Sequence, residues 1–221
     1  MDDPKITVTP GGPYLVSGSV PLRRKRQVAT ELGEPIAWET TGQVPADNSY
    51  ALCRCGSSGN KPFCDGSHET ADWDSTETAA TSDYDERATT YPATGATVRD
   101  DRSLCQHAGF CTTKLTNVWK MTGHTDDTAV RSQMMAMVER CPSGALTYSV
   151  PGAAGDLEPD LPVAISTVLD GPLSVTGGLP VQRADGQPLE TRNRVVLCRC
   201  GASKNKPLCD GSHASTGFRA E

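Results

Sequence analysis

Aromatic residues are scarce in this chain: 3 Trp, 5 Tyr and 3 Phe make up 5% of 221 residues, and hydrophobic residues reach only 36%. One large, well-filled core needs more, so the composition excludes a single big globular unit and favours several small ones. No stretch approaches the roughly 20 apolar residues of a membrane-spanning helix. The segment from Met1 to Val16 also lacks a basic stretch followed by an apolar run. A soluble, cytoplasmic protein without membrane association is expected. An excess of positive charge is missing too: 21 Lys and Arg stand against 27 Asp and Glu, a formal net charge of −6. Only Arg23, Arg24, Lys25 and Arg26 cluster, which excludes a nucleic-acid surface and reads as an exposed loop or solvated strand end.

What the chain has is nine cysteines, among 21 Gly and 16 Pro. Modules of roughly 60 to 80 residues bury little surface and commonly need a disulfide, a metal or a partner. An odd number of cysteines argues against a simple disulfide framework, and in a reducing compartment closely spaced cysteines read as metal ligands or redox centres.

The chain repeats itself. The run Cys53-Arg-Cys-Gly-Ser-Ser-Gly-Asn-Lys-Pro-Phe-Cys-Asp-Gly-Ser-His68 returns from Cys198 to His213, changed only at Ser57/Ala202, Gly59/Lys204 and Phe63/Leu208. Upstream, Gly12-Pro-Tyr-Leu-Val-Ser-Gly-Ser-Val-Pro21 returns more loosely from Gly171 to Pro180. The first copy carries 14 more residues between the two pieces. Short β-type runs at Tyr14–Val16, Val175–Thr176 and Val195–Leu197 sit between Gly and Pro, which predicts small, β-rich modules. The Thr, Ala, Ser, Asp and Glu of Glu69–Arg87 suit an exposed linker, and Pro151–Pro162 a second one. Between them, Thr97–Arg99 reads as a strand. Val130, Met134, Met137 and Val138 mark one face of a helix over Asp126–Arg140, and Gly144–Tyr148 reads as a returning strand. The expected division is 1–76, 77–160 and 161–221.

Each repeat supplies three cysteines and a histidine: Cys53, Cys55, Cys64 and His68, then Cys198, Cys200, Cys209 and His213. Thiolate and imidazole suit iron and zinc alike. Gly66 and Gly211 permit the tight turn that brings the histidine back to the third cysteine, and Asp65 and Asp210 are placed to cap the short helix carrying it. A structural zinc site uses the same residue types. Zinc knuckles, however, usually pair cysteines as Cys-x2-Cys, whereas Cys-x-Cys suits two thiolates on one iron of a binuclear cluster. Arg54, Arg199, Lys61 and Lys206 flank the ligands, either to stabilise a reduced cluster or simply to keep a small surface soluble.

Both segments resemble the signature C-x-C-x2-S-x3-P-x-C-D-G-S-H of the CDGSH iron–sulfur (mitoNEET-type) family, with Ser58 and Ser203 on its serine and Pro62 and Pro207 on its proline. The resemblance implies a [2Fe-2S] cluster held by three Cys and one His, on a β-rich fold in which two motifs face each other. Two motifs in one chain then imply a monomer that is an internal pseudo-dimer. The fold class expected is α+β, two small β-rich modules flanking a ferredoxin-like one.

In the middle, Cys105-Gln-His-Ala-Gly-Phe-Cys111 and Cys141-Pro142 give C-x5-C followed by C-P. Set on the bacterial ferredoxin run C-x2-C-x2-C with its remote C-P, Ala108 occupies the position of the second cysteine. Residues 95–148 resemble the single-cluster divergent ferredoxin family. Three ligands suit a [3Fe-4S] cluster, or a [4Fe-4S] cluster whose fourth iron takes water, a small molecule or His107. His107 is either a ligand or a donor to a sulfide. His124 reads as a loop residue, and the plain alternative for the cysteines is burial in a core. The functional expectation is electron transfer to a redox partner protein, the alternative being cluster storage and delivery to an apo-protein acceptor. No nucleophile–base pair or phosphate loop points to an enzyme.

Overall fold

Residues 3–221 are described by a computed structural model; Met1 and Asp2 lie outside the described residues. In chain order, β1 (Lys5–Val8) and β2 (Tyr14–Ser17) are followed by a long hairpin of β3 (Leu22–Ala29) and β4 (Pro35–Gln43), then β5 (Tyr50–Leu52). The middle holds α1 (Tyr84–Arg87), β6 (Thr89–Ala93), β7 (Ala96–Asp100), α2 (Val118–Met121), α3 (Thr128–Glu139) and β8 (Leu146–Ser149). The last part holds β9 (Ala164–Val168), β10 (Leu173–Thr176), β11 (Val181–Gln182) and β12 (Arg194–Leu197). The fold is α+β and mostly sheet, and the two repeats flank the middle module.

The repeats exchange strands. One sheet runs β11-β1-β2-β5 and another β12-β10-β9-β3-β4, so each contains strands from both ends of the chain. β1 pairs in parallel with β11, Ile6 opposite Val181, and β3 pairs in parallel with β9, Leu22 opposite Ile165. Alternation along the strands turns Ile6, Val8, Tyr14, Val16 and Leu52 into the same core as Ile165, Leu173, Val175, Val195 and Leu197. Full burial of each aliphatic side chain contributes about 1.5–3 kcal/mol. Neither repeat has a core of its own; together they form the internal pseudo-dimer that the resemblance implies.

The residues added to the first repeat build the β3–β4 hairpin, which lies at the edge of the sheet holding β9, β10 and β12. Here the basic run Arg23–Arg26 departs from expectation, because it is a paired strand. Lys25 Nζ donates to Ser174 Oγ at 2.8 Å and lies 4.6 Å from the Trp38 ring centroid, and burial lowers its pKa to about 8. Arg26 pairs with Glu39 at 2.7 Å.

The middle module has a separate core of Val98, Val118, Met121, Met134, Met137, Val138, Leu146 and Tyr148 around the sheet β6-β7-β8. Helix α3 falls within the predicted range and is capped by Asp127, whose carboxylate accepts from the N–H groups of Ala129 (2.7 Å) and Val130 (3.4 Å). Its apolar face buries Met134, Met137 and Val138.

The segment expected as a free linker is instead an ordered strap. Thr78 and Ala79 donate their N–H groups to the Lys206 carbonyl at 2.8 and 3.0 Å. The Glu77 carboxylate accepts from Ala184 N at 2.6 Å, and Arg183 donates to the Ala79 and Glu77 carbonyls. A polar composition conceals this order, which rests on a few buried anchors. Pro151–Pro162 is the looser of the two connections, largely exposed. Among the described residues no helix is long and apolar enough to cross a membrane.

Candidate metal centres

The two terminal ligand loops are built alike from the backbone outward. Cys53 N–H donates to the Pro62 carbonyl (2.8 Å) and Cys64 N–H to the Ala51 carbonyl (2.9 Å); Cys198 and Cys209 repeat this with Pro207 (2.9 Å) and Val196 (3.0 Å). Ser58 Oγ closes its loop by donating to the Phe63 carbonyl at 2.7 Å, and Ser203 Oγ does so to Leu208 at the same distance. Asp65 accepts from Ser67 N (3.0 Å), Ser67 Oγ (2.6 Å) and Gly59 N (2.7 Å), and Asp210 makes the equivalent bonds to Ser212 and Lys204. The aspartates therefore fasten the turn into the histidine helix one residue before its formal cap. Gly66 and Gly211, both with φ of +89°, supply the left-handed step.

This framework arranges the side chains as two pairs at each end. Cys53 Sγ lies 3.8 Å from Cys55 Sγ, and Cys64 Sγ 3.3 Å from His68 Nδ1. The second loop gives 3.7 Å for Cys198 and Cys200, and 3.3 Å for Cys209 and His213 Nδ1. Among the described residues no three Cys, His, Asp or Glu side chains gather as one mononuclear metal site would require. Each loop therefore presents one Cys–Cys pair and one Cys–His pair.

Burial pushes the Cys53 thiol up, while Cys198 and its neighbour move in opposite directions. The Cys198 thiol is held down to about 6 chiefly by the hydrogen bond from Cys200, which is pushed up in turn, and burial pushes Cys209 up to about 12. Two neighbouring thiolates in such a place need a cation, which fits a metal that binds thiolate outright.

Three of the four flanking cations, Arg54, Arg199 and Lys206, are buried. Arg199 is buried and donates to the carbonyls of Gly171 (2.7 Å), Val168 (2.5 Å), Glu221 (3.1 Å) and Ala220 (3.3 Å); burial lowers its pKa to about 10. Arg54 is equally buried, donates to the Ser75 carbonyl at 2.9 Å and stacks 4.9 Å from the Trp73 ring. Lys61 and Lys206 donate to the Ser58 and Ser203 carbonyls within their own loops. Arg54, Arg199 and Lys206 brace the loops from inside, whereas Lys61 is only half-buried.

Cys105, Cys111 and Cys141 line one cavity of about 200 Å³ with Ala108, Phe110, Trp119, Pro142 and Ser143. Burial and the other two thiols raise Cys111 to about 11, while burial also raises Cys105, whose sulfur accepts the His107 N–H at 3.4 Å. That bond places His107 in the left-handed region, φ +62°, with its side chain exposed. His124, expected in a loop, is the exposed last residue of a short helical turn over Thr122–His124.

Sequence reasoning missed several supports. Tyr14 of the first repeat donates its hydroxyl to the Cys198 carbonyl (2.7 Å) and lies 3.1 Å from the Pro207 carbonyl, reaching the loop of the other repeat. The β3–β4 hairpin covers the middle cysteine loop: Gln27 donates to the Ala108 carbonyl (2.7 Å), Trp38 to the Arg140 carbonyl (3.2 Å), and Trp38 meets Phe110 with ring centroids 5.0 Å apart. The 14 extra residues were the available signal, but nothing in them shows where they dock.

Thiolate–imidazole sets on this fold, with a three-cysteine cavity beside them, define an iron–sulfur protein. Residues 11–69 and 170–214 match the family described as iron-binding zinc finger CDGSH type, and residues 91–151 match the family described as divergent 4Fe-4S mono-cluster. The chain joins two CDGSH modules to one divergent mono-cluster module between them. No curated protein and no solved structure matches it.

Proposed function

We propose that the protein transfers electrons through two [2Fe-2S] clusters and one [3Fe-4S] cluster, within modules divided near residues 76 and 160. The terminal clusters are assigned to Cys53, Cys55, Cys64 and His68, and to Cys198, Cys200, Cys209 and His213. The middle cluster is assigned to Cys105, Cys111 and Cys141. The observation that carries this reading is the duplicated split of ligands into a Cys–Cys and a Cys–His pair. A cluster bound in such a site supplies a one-electron couple tuned by ligand, charge and exposure. The protein's own part is rigidity: bracing Arg54 and Arg199 and the aspartate-tied turns hold the donors while charge changes.

Ala108 lines the middle cavity where the ferredoxin run has a cysteine, which supports three iron-bound thiolates; a [4Fe-4S] form would leave its fourth iron without a cysteine. Cluster delivery to an apo-protein is the second reading, favoured by the open space beside Gly66, where a Cβ would meet nothing within 4 Å.

Anaerobic iron and sulfide counting with EPR of the oxidised and reduced protein tests cluster number and type. Incubation with an apo-ferredoxin, against reduction by a reductant and a redox partner, separates the two readings. Reversible reduction with all clusters retained is expected, and rapid loss of the terminal clusters to the acceptor would establish delivery instead.

A further inference from the structure

The two terminal motifs are nearly identical in sequence but not in surroundings. At the first, Asp65 is exposed, Phe63 and Cys64 are half-buried, and the Gly66 turn faces open space. At the second, Leu208 and Cys209 are buried, and a Cβ on Gly211 would stand 2.9 Å from the Gln106 carbonyl oxygen and 3.2 Å from the His107 imidazole. Asn205 donates to the Ser103 carbonyl at 2.7 Å, and the strap seals Lys206 through Thr78 and Ala79.

The covering residues Ser103–His107 belong to the same loop that presents Cys105 to the middle cavity. Gln106 and His107, the next two residues after a candidate ligand of the middle cluster, thus lie against the turn that carries His213. On its other side, the second loop meets the first. A Cβ on Gly56 would lie 2.5 Å from the Cys200 carbonyl oxygen, and one on Gly201 would collide with the Cys55 carbonyl. Positive φ at both glycines, +83° and +78°, lets the backbones pass this closely. The hairpin that touches the middle module belongs to the first repeat, yet it lies in the sheet of β9, β10 and β12 and not in the sheet that ends in the first ligand loop.

We infer that the three centres stand in a fixed order, middle, C-terminal, N-terminal, with the C-terminal CDGSH site as a covered junction and the N-terminal site as the solvent-facing end of the series. The inference rests on the electron-transfer reading and deepens it. Two copies of one motif have different tasks, and the difference comes from the residues that cover them.

Magnetic relaxation of the reduced protein tests the order. His68→Cys and His213→Cys, each altering the signal of its own cluster, assign the two [2Fe-2S] spectra. Removing the middle cluster with Cys111→Ser should then lower the microwave power needed to half-saturate the C-terminal signal several-fold, leaving the N-terminal signal unchanged. An equal change in both signals, a change in the N-terminal signal alone, or no change in either would overturn the order. Iron and sulfide counts report separately whether the middle cluster exists, so absence of that cluster would overturn the reading beneath the order and be recognised as such.

A second measurement does not depend on the middle cluster. A bipyridyl chelator should remove the N-terminal cluster faster than the C-terminal one in the intact protein. His107→Gly keeps the left-handed backbone and uncovers the Gly211 turn, and it should speed loss of the C-terminal cluster alone. Equal rates in the unmodified protein, or no effect of His107→Gly, would overturn the covered-junction assignment.

Discussion

The terminal sites and the middle site solve the same chemical problem with different architecture. Each terminal site draws all four candidate ligands from one 16-residue loop, tied by its own serine, aspartate and lysine. The middle site takes Cys105 and Cys111 from one loop and Cys141 from the far end of α3, so its geometry depends on a packed core and on a hairpin lent by another module. A site written in contiguous sequence carries many of its own ties with it. One assembled across a core inherits every weakness of that core.

The sharpest way to test the contrast is Cys111→Ser, which removes one of only three thiolates. Complete loss of the three- or four-iron signal is expected, with the [2Fe-2S] absorbance retained; disappearance of all clusters together would show that the modules are not chemically independent. Acid should act the other way. Burial, reinforced by the Arg199 charge, lowers the pKa of His213 below its ordinary value. The depressed pKa keeps the imidazole neutral and able to ligate. Its contribution is fully present above about pH 6.5 and is lost as pH falls through the lowered value, because the proton then competes with iron. The C-terminal cluster should therefore bleach below that pH while the all-cysteine middle cluster persists, and His213→Cys should slow the bleaching. Identical acid profiles for the terminal and middle clusters would remove the histidine from the ligand set.

Smaller effects probe the cores. Met134 is fully buried in one core with residues of β7 and β8, and Met134→Ala should cost about 2–5 kcal/mol. In a denaturant titration the middle cluster should be lost early while the terminal absorbance keeps its own midpoint; one shared shift would mean a single cooperative unit. Asp127→Ala removes the α3 cap and should cost about 1 kcal/mol. Circular dichroism should show a modest drop in helical stability with Cys141 still bound to iron.

Local signals made much of this legible. The repeated ligand loops, the apolar face of α3 and the strand after Cys141 are written in spacing and periodicity. The strand exchange is not, because the pairing of Ile6 with Val181 depends on which edges meet across the whole chain. Charge misled as well: Arg54 and Arg199 look like solvent-facing residues, yet both are buried, Arg199 on four backbone carbonyls and Arg54 on the Ser75 carbonyl, the Trp73 ring and the Glu77 carboxylate. The strap around Glu77 has a linker's composition, since only a few of its residues are anchors and the rest face water.

The exchanged strands also set a timetable for the nascent chain. β1 waits for a partner 175 residues further along, and β3 for β9, so the first repeat leaves the ribosome with unpaired edges and no finished interior. Closing contacts so far apart in sequence is slow and entropically costly. The middle module, whose strands and helices lie near one another in the chain, is free to form earlier. The parallel pairs that join the two ends close only once the last strands are made.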